Sequence, residues 1–269
     1  MDSICIHADC NDVMQIMHNG DIDLILTDPP YEISVDNYDG MPGGSWGKPG
    51  DAGYVKRPEL DFGEWDKKPV NIDEMCKQFY NKLRKGGTAI IFYDFWKMGK
   101  LKEAAEAAGF SKFRVIHWQK TNPVPLNSKI TYLSNSREYA LVIVKGSRPT
   151  FNSEYDIGVY EYPILHGKER LDHPTQKPVD LFRKLIEKHS NQGDIVFDPF
   201  GGVGTTLAAC SISKRRCISV EISDKYYQLS KERLNRLNSG LFKLSDICYY
   251  DESTYGQLAT YLNTEFVKC

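Results

Sequence analysis

The sequence predicts an α/β protein built on a mostly parallel, doubly wound sheet. Three observations carry that reading. Short apolar runs alternate with amphipathic stretches along nearly the whole chain. One such run ends in Asp28-Pro29-Pro30-Tyr31, an acidic residue where parallel strands of open sheets present their ligands. Another leads through Asp198-Pro199-Phe200-Gly201-Gly202-Val203-Gly204 into a helix, the strand–turn–helix form of a ligand-cradling loop.

Seven runs read as strands: Ser3–His7, Ile22–Thr27, Thr88–Tyr93, Phe113–Trp118, Tyr139–Lys145, Asp194–Asp198 and Cys217–Glu221. Helices are expected near 10–18, 72–85, 98–109, 178–190, 204–213 and 224–238. In the second of these, Ile72, Met75, Phe79 and Leu83 form an apolar stripe, and Gly86-Gly87 is expected to end it. Three stretches resist the pattern. Residues 32–60 are rich in Gly and Pro, and a loop that long in a compact domain is usually functional or mobile. Residues 148–172 form a second irregular insert, and 239–269 form an aromatic-rich tail with one short helix near 256–264.

The chemistry-bearing segments can be weighed residue by residue. The two prolines after Asp28 fix φ and push Asp28 into an extended conformation, so a carboxylate, a backbone carbonyl and the Tyr31 ring form one rigid cluster. Glu221 lies 17 residues after Gly204 at the end of the next strand, where a carboxylate grips both hydroxyls of a ribose. Leu207 stands where the dinucleotide fingerprint needs its third glycine, so an adenosine ligand without a pyrophosphate fits better than a nicotinamide cofactor. A third segment, His173-Pro174-Thr175-Gln176-Lys177-Pro178, precedes a helix, with Pro178 suited to its first position. Lys177 and Thr175 are candidates to bind an anionic group such as an amino-acid carboxylate.

Composition excludes several classes. No run approaches the roughly 20 apolar residues that span a bilayer, and the start Met1-Asp2-Ser3 shows no secretory pattern, so a cytoplasmic protein without membrane partners is expected. Seven cysteines without a CxxC pair suggest neither a zinc site nor a disulfide framework, and no metal is expected. The net charge of −2 is uneven: residues 112–148 hold seven bases and one acid, Glu138, as a local phosphate-binding surface would.

Together the segments resemble the β group of DNA amino-methyltransferases, in which D-P-P-Y comes first and D-P-F-x-G-x-G near the C-terminus, joined through an H-x-T-Q-K-P helix. This chain carries all three in that order, over about Ser3 to Asn238, with Val203 departing from the usual Ser or Thr. The resemblance implies a Rossmann-like methyltransferase sheet with circularly permuted motif order, S-adenosyl-L-methionine as cofactor and DNA as partner. It implies a single catalytic domain over 1–238, a tail of unassigned role, and a short target-recognition insert at 146–172. That insert is small for reading several base pairs, which implies either low specificity or a homodimer whose subunits complete each other.

Carried over by position, Asp28, Pro29, Pro30 and Tyr31 are the catalytic residues, and Asp9, Lys177, Asp198, Phe200, Gly202, Gly204, Thr205 and Glu221 hold the cofactor. Trp118, Lys120, Asn122 and Lys129, in the basic stretch, are the expected DNA contacts. The implied reaction is direct displacement at a sulfonium methyl by an exocyclic amine of a flipped-out base. Asp before the prolines favours adenine N6; cytosine N4 is the alternative. A non-catalytic DNA-binding subunit is opposed by the intact Asp28–Tyr31 segment, and an RNA or small-molecule methyltransferase by the motif order.

Overall fold

Among the described residues, nine strands form one sheet in the order β6-β4-β5-β3-β2-β7-β8-β1-β9. They are β1 (Ser3–His7), β2 (Ile22–Thr27), β3 (Leu83–Tyr93), β4 (Lys112–Lys120), β5 (Arg137–Val144), β6 (Val159–Tyr162), β7 (Ile195–Asp198), β8 (Arg216–Glu221) and β9 (Ile247–Tyr250). The computed structural model describes residues 3–30, 70–123, 135–167, 170–171, 176–238 and 247–262. Among the described residues, only the pairs β3–β5 and β4–β5 are antiparallel. The described helices that accompany the strands are α1 (Cys10–Ile16), α2 (Ile72–Lys82), α3 (Met98–Ala108), α4 (Val179–His189), α5 (Thr205–Ser213), α6 (Asp224–Asn238) and α7 (Tyr255–Tyr261).

Strand alternation divides the core between the two faces of the sheet. Ile4, Ile6, Ala89 and Ile91 pack towards Val13 of α1, Phe79 of α2 and Leu101 of α3. Cys5, Leu24, Leu26, Ile90 and Phe92 pack towards Leu181 and Leu185 of α4, Leu207 of α5 and Leu234 of α6. Helices on both faces confirm the doubly wound reading.

Two expectations change. The described residues form nine strands rather than seven, because β6 and β9 are four-residue edge strands. Their residues alternate or sit half-buried, so neither shows the continuous apolar run that marks an interior strand. β9, from the unassigned tail, pairs in parallel with β1 from Ser3↔Ile247 to Ile6↔Tyr250, and Leu258 of α7 is fully buried in the core. Gly86-Gly87 does not end a helix: α2 stops at Lys82 and β3 begins at once. The β2–β3 register shifts between Ile22↔Leu83 and Leu24↔Thr88, and Gly86 takes φ +83° there, with Arg148 O only 2.9 Å from where a Cβ would stand.

The insert after β5 is tied to the body rather than free. Asn152 donates to the carbonyls of Glu187 (3.1 Å) and Ser190 (2.9 Å) around the end of α4, and Asp156 pairs with Lys188 of α4.

Candidate active site

The chain leaves β2 outward towards β3 and leaves β7 in the opposite direction towards β8, so the β2/β7 pair is the switch point of the sheet. Ligands of open α/β sheets bind outside the carboxyl ends of the strands at such a point. Here β2, β7, β8 and β1 run parallel side by side, and each has an acid at or just past its carboxyl end: Asp28, Asp198, Glu221 and Asp9.

Asp198 closes β7 and is almost fully buried. Its Oδ1 accepts from Thr27 Oγ1 (2.8 Å) and Phe200 N (3.1 Å), and its Oδ2 accepts from Thr206 Oγ1. The carboxylate thus staples the end of β2, one residue before Asp28, to the glycine turn and to α5. Burial raises its pKa to about 6, against the opposing pull of the Thr206 and Thr27 hydroxyls.

The turn itself is pressed onto β8. Gly201 N donates to Val220 O at 2.7 Å, and a Cβ on Gly201 would lie 2.1 Å from Ser219 Oγ. Gly202 and Gly204 hold φ of +50° and +77°, with Gly204 as the N-cap of α5. Gly202 N donates to Glu221 Oε2 and Ser223 N to Glu221 Oε1, both at 2.7 Å. Each carboxylate oxygen retains acceptor capacity for a ribose hydroxyl. Burial lifts the Glu221 pKa to about 7 despite those two amide donors.

Next to it, Ala8 N donates to Glu221 O at 3.2 Å, which brings Asp9 alongside. Asp9 caps α1 by accepting from Asn11 N at 2.8 Å. Phe200 is partly buried against the core, and Thr205 Oγ1 donates to Lys177 O at 3.4 Å. Glycines without room for a side chain, an uncapped helix start and a paired acid on the neighbouring strand fit an adenosine-bearing cofactor.

Asp28 stands on the other side of the switch point. Its Oδ2 pairs with Lys177 Nζ, while its Oδ1 is buried without a hydrogen-bond partner among the described residues. Burial raises its pKa, more strongly than the Lys177 ammonium lowers it. Lys177 also pairs with Glu138 Oε2 at 3.1 Å, and Glu138 Oε1 pairs with Lys120 at 2.8 Å. Burial would raise the pKa of Glu138, but the Lys177 and Lys120 ammoniums outweigh it and hold the carboxyl below its usual range. Thus Lys177, expected at the cofactor, reaches the Asp28 carboxylate. Glu138 enters the site with no role assigned by the sequence reading, though it is the lone acid in a basic stretch and its segment 137–146 resembles a later strand of the DNA amino-methyltransferases.

The expected DNA contacts are corrected in part. Trp118 is 2% exposed, and its indole N–H donates to Tyr162 O at 2.9 Å, so the ring is a core group joining β4 to β6 and offers no face to a base. Asn122 spends its amide on Ile164, accepting from its N at 2.6 Å and donating to its O at 3.1 Å. Lys120 is committed to Glu138. Two further bases of 112–148 also bond within the protein: Lys145 donates to Leu83 O, and Arg137 to Gln119. Tyr31, Lys129, the segment 173–175 and the loop 32–60 lie outside the described residues.

Comparison with known proteins matches this arrangement. A family model, N6_N4_Mtase (DNA methylase), covers residues 22–232. Type II methyltransferase M2.DpnII of Streptococcus pneumoniae is 28% identical over 87% of this chain and 90% of its own length. Type II methyltransferase M.HinfI of Haemophilus influenzae is 27% identical over 86% of this chain and 68% of its own. The M1.HpyAVI–SAM complex superposes with a TM-score of 0.63 at 26% identity, over 87% of this chain and all of that one. The cytosine-N4-specific PvuII DNA methyltransferase, at 16% identity, shares the fold with a TM-score of 0.65 over 99% of this chain and 93% of its own. Glycine turn, paired acid and D-P-P segment thus stand on a sheet found in a methyltransferase solved with SAM, and the chain belongs to the DNA methylase family of S-adenosylmethionine-dependent enzymes.

Proposed function

We propose that the protein methylates the N6 amino group of adenine at specific sites in DNA, on a base turned out of the helix, with Asp28, Pro29, Pro30 and Tyr31 as the reacting-base site. The observation that carries this reading is Asp28 Oδ1, a buried acceptor without a partner among the described residues, one strand away from the glycine turn. Leaving such an atom unpaired costs about 1–3 kcal/mol, a cost removed when a substrate N–H binds there. Asp9, Asp198, Phe200, Gly202, Gly204, Thr205 and Glu221 would hold the cofactor, Glu221 gripping the ribose.

When bound, S-adenosylmethionine supplies a methyl group on a sulfonium that departs as a neutral thioether. An adenine amino nitrogen is a poor nucleophile because its lone pair is delocalised into the ring. Asp28 Oδ1 accepts one of its N–H groups and the Pro29 carbonyl the other, which favours the localised, tetrahedral nitrogen in the transition state. As the nitrogen takes the methyl it becomes acidic, and its surplus proton leaves along the Asp28 hydrogen bond. Asp in place of Ser before the prolines supports adenine over cytosine. The insert at 146–172 is the proposed recognition segment.

Nucleoside mass analysis of unmethylated DNA incubated with protein and S-adenosylmethionine tests this. N6-methyladenine that disappears with Asp28→Ala is the expected result. N4-methylcytosine would overturn the target, and methylation that survives Asp28→Ala would overturn the site.

A further inference from the structure

We infer that Lys177 and Glu138 are positioning residues for methyl transfer: Glu138 bridges the Lys120 and Lys177 ammoniums, and Lys177 so placed holds Oδ2 of Asp28, leaving Oδ1 as the acceptor for the target amine. This rests on the reading of Asp28 proposed above.

The four charged groups come from four separate segments that meet on one rim of the sheet. Asp28 follows β2, Lys120 ends β4, and Glu138 begins β5, which runs antiparallel to β3 and so starts on that rim. Lys177 arrives from the stretch before α4. Its side chain is only 3% exposed and its ammonium lies 5.4 Å from the centre of the Phe92 ring, which closes the pocket beneath it. Two of the three N–H donors of that ammonium face carboxylates, Asp28 Oδ2 and Glu138 Oε2. A Lys177 held there has its ammonium at the Asp28 side of the switch point.

The set is electrically neutral, two ammoniums against two carboxylates. Buried ion pairs of this kind are weak sources of stability, but they fix a rotamer well. An Asp carboxylate turns freely about its last bond unless one oxygen is held, and a free carboxylate would present either oxygen, or neither, to the substrate. With Oδ2 held by Lys177, the acceptor Oδ1 is fixed before the base arrives, the preorganisation that electrostatic catalysis requires. Glu138 performs the same service one step back. Without it, Lys120 and Lys177 would repel each other, and Lys177 would lose the contact that aims it.

The charged groups facing Asp28 are Lys177, Glu138, Lys120 and Asp198, and they set the signs of the pH effects. The active form is the ionised carboxylate, so the rate rises with pH through the Asp28 pKa. Removing the Lys177 charge raises that pKa and moves the acid limb of the rate profile to higher pH. Removing the Glu138 charge lowers it and moves the limb to lower pH. A residue that merely supports the fold would move neither limb.

The test uses the full chain with unmethylated bacterial DNA, counting methylated base at saturating S-adenosylmethionine across pH, and calorimetry for cofactor affinity. Lys177→Gln should lower the rate about 100-fold, shift the acid limb upward and leave the cofactor Kd within about threefold. Glu138→Gln should lower the rate about tenfold with the opposite shift. Lys177→Arg should restore the limb of the natural protein and part of the rate. A large loss of cofactor affinity with an intact rate at saturation would overturn the inference and return Lys177 to the cofactor. So would acid limbs unmoved in both variants. If Lys177→Gln fails to fold, the isosteric Glu138→Gln decides by the direction of its shift. Full activity in Asp28→Asn would instead refute the underlying reading, whatever the lysine does.

Discussion

Asp198→Asn should make the protein more stable, by a margin that grows as pH rises from 3.8 through about 6. The carboxylate is 3% exposed and surrounded by three donors, Thr27 Oγ1, Phe200 N and Thr206 Oγ1. An asparagine oxygen in the place of Oδ1 keeps the Thr27 and Phe200 bonds. Its amide then faces the Thr206 hydroxyl, which both donates and accepts and so can turn to receive it. No hydrogen bond is lost, while a buried charge is.

The magnitude follows from the pKa. A rise from 3.8 to about 6, at about 1.4 kcal/mol for each tenfold change in proton affinity, makes the charged form cost roughly 3 kcal/mol in the folded state. The sign is that of a raised folded pKa: the contribution is fully present below pH 3.8 and is lost as pH rises through about 6. The difference between Asp198→Asn and the natural protein should therefore be about 3 kcal/mol in favour of the variant at pH 8 and below about 1 kcal/mol at pH 4. Urea unfolding of both proteins at the two pH values measures it, and taking the difference cancels the other titrating groups. An equal difference at pH 4 and pH 8, or a variant less stable at pH 8, would refute the electrostatic argument.

Three further outcomes are expected. Gly201→Ala places a Cβ 2.1 Å from Ser219 Oγ on a buried strand and should cost about 1–3 kcal/mol; thermal unfolding at the wild-type midpoint would detect nothing if the turn were loose. Cofactor binding should tighten from pH 6 to pH 8 as Glu221, with its pKa near 7, ionises. In Glu221→Gln calorimetry should find that dependence gone and affinity about tenfold weaker at pH 8. Trp118→Phe removes the bond to Tyr162 O and should destabilise by about 1–2 kcal/mol, yet leave the DNA dissociation constant unchanged. A DNA affinity that falls with it would restore Trp118 as a contact residue.

The fold was legible wherever a segment's own pattern decides its structure. Interior parallel strands are buried on both faces, so β1, β2, β7 and β8 are near-continuous apolar runs that announce themselves. The D-P-P and glycine-turn segments are local too, because proline fixes φ and only glycine packs against Ser219 at that distance. Their order along the chain was enough to indicate the family. Edge strands lack such a signature: Val159–Tyr162 and Ile247–Tyr250 are half-buried, and only the neighbours β4 and β1 decide that they are strands.

The site divides in the same way. Asp28, Asp198 and Glu221 could be singled out because each follows an apolar strand, and strand ends are the positions at which a parallel sheet presents groups. The direction of a long side chain is another matter. Lys120, Trp118 and Asn122 read as a basic, aromatic surface, but the β4–β5 pairing sets Trp118 opposite Glu138, and all three side chains meet protein partners. Lys177 and Asp28 are 149 residues apart, and no local pattern encodes their contact. The sequence by itself determined the class of sheet, the two loops at its switch point and the chemistry they carry, because these depend on backbone and residue type. Which charge meets which was decided only by the tertiary structure, because an ion pair depends on where four distant segments come to rest in space.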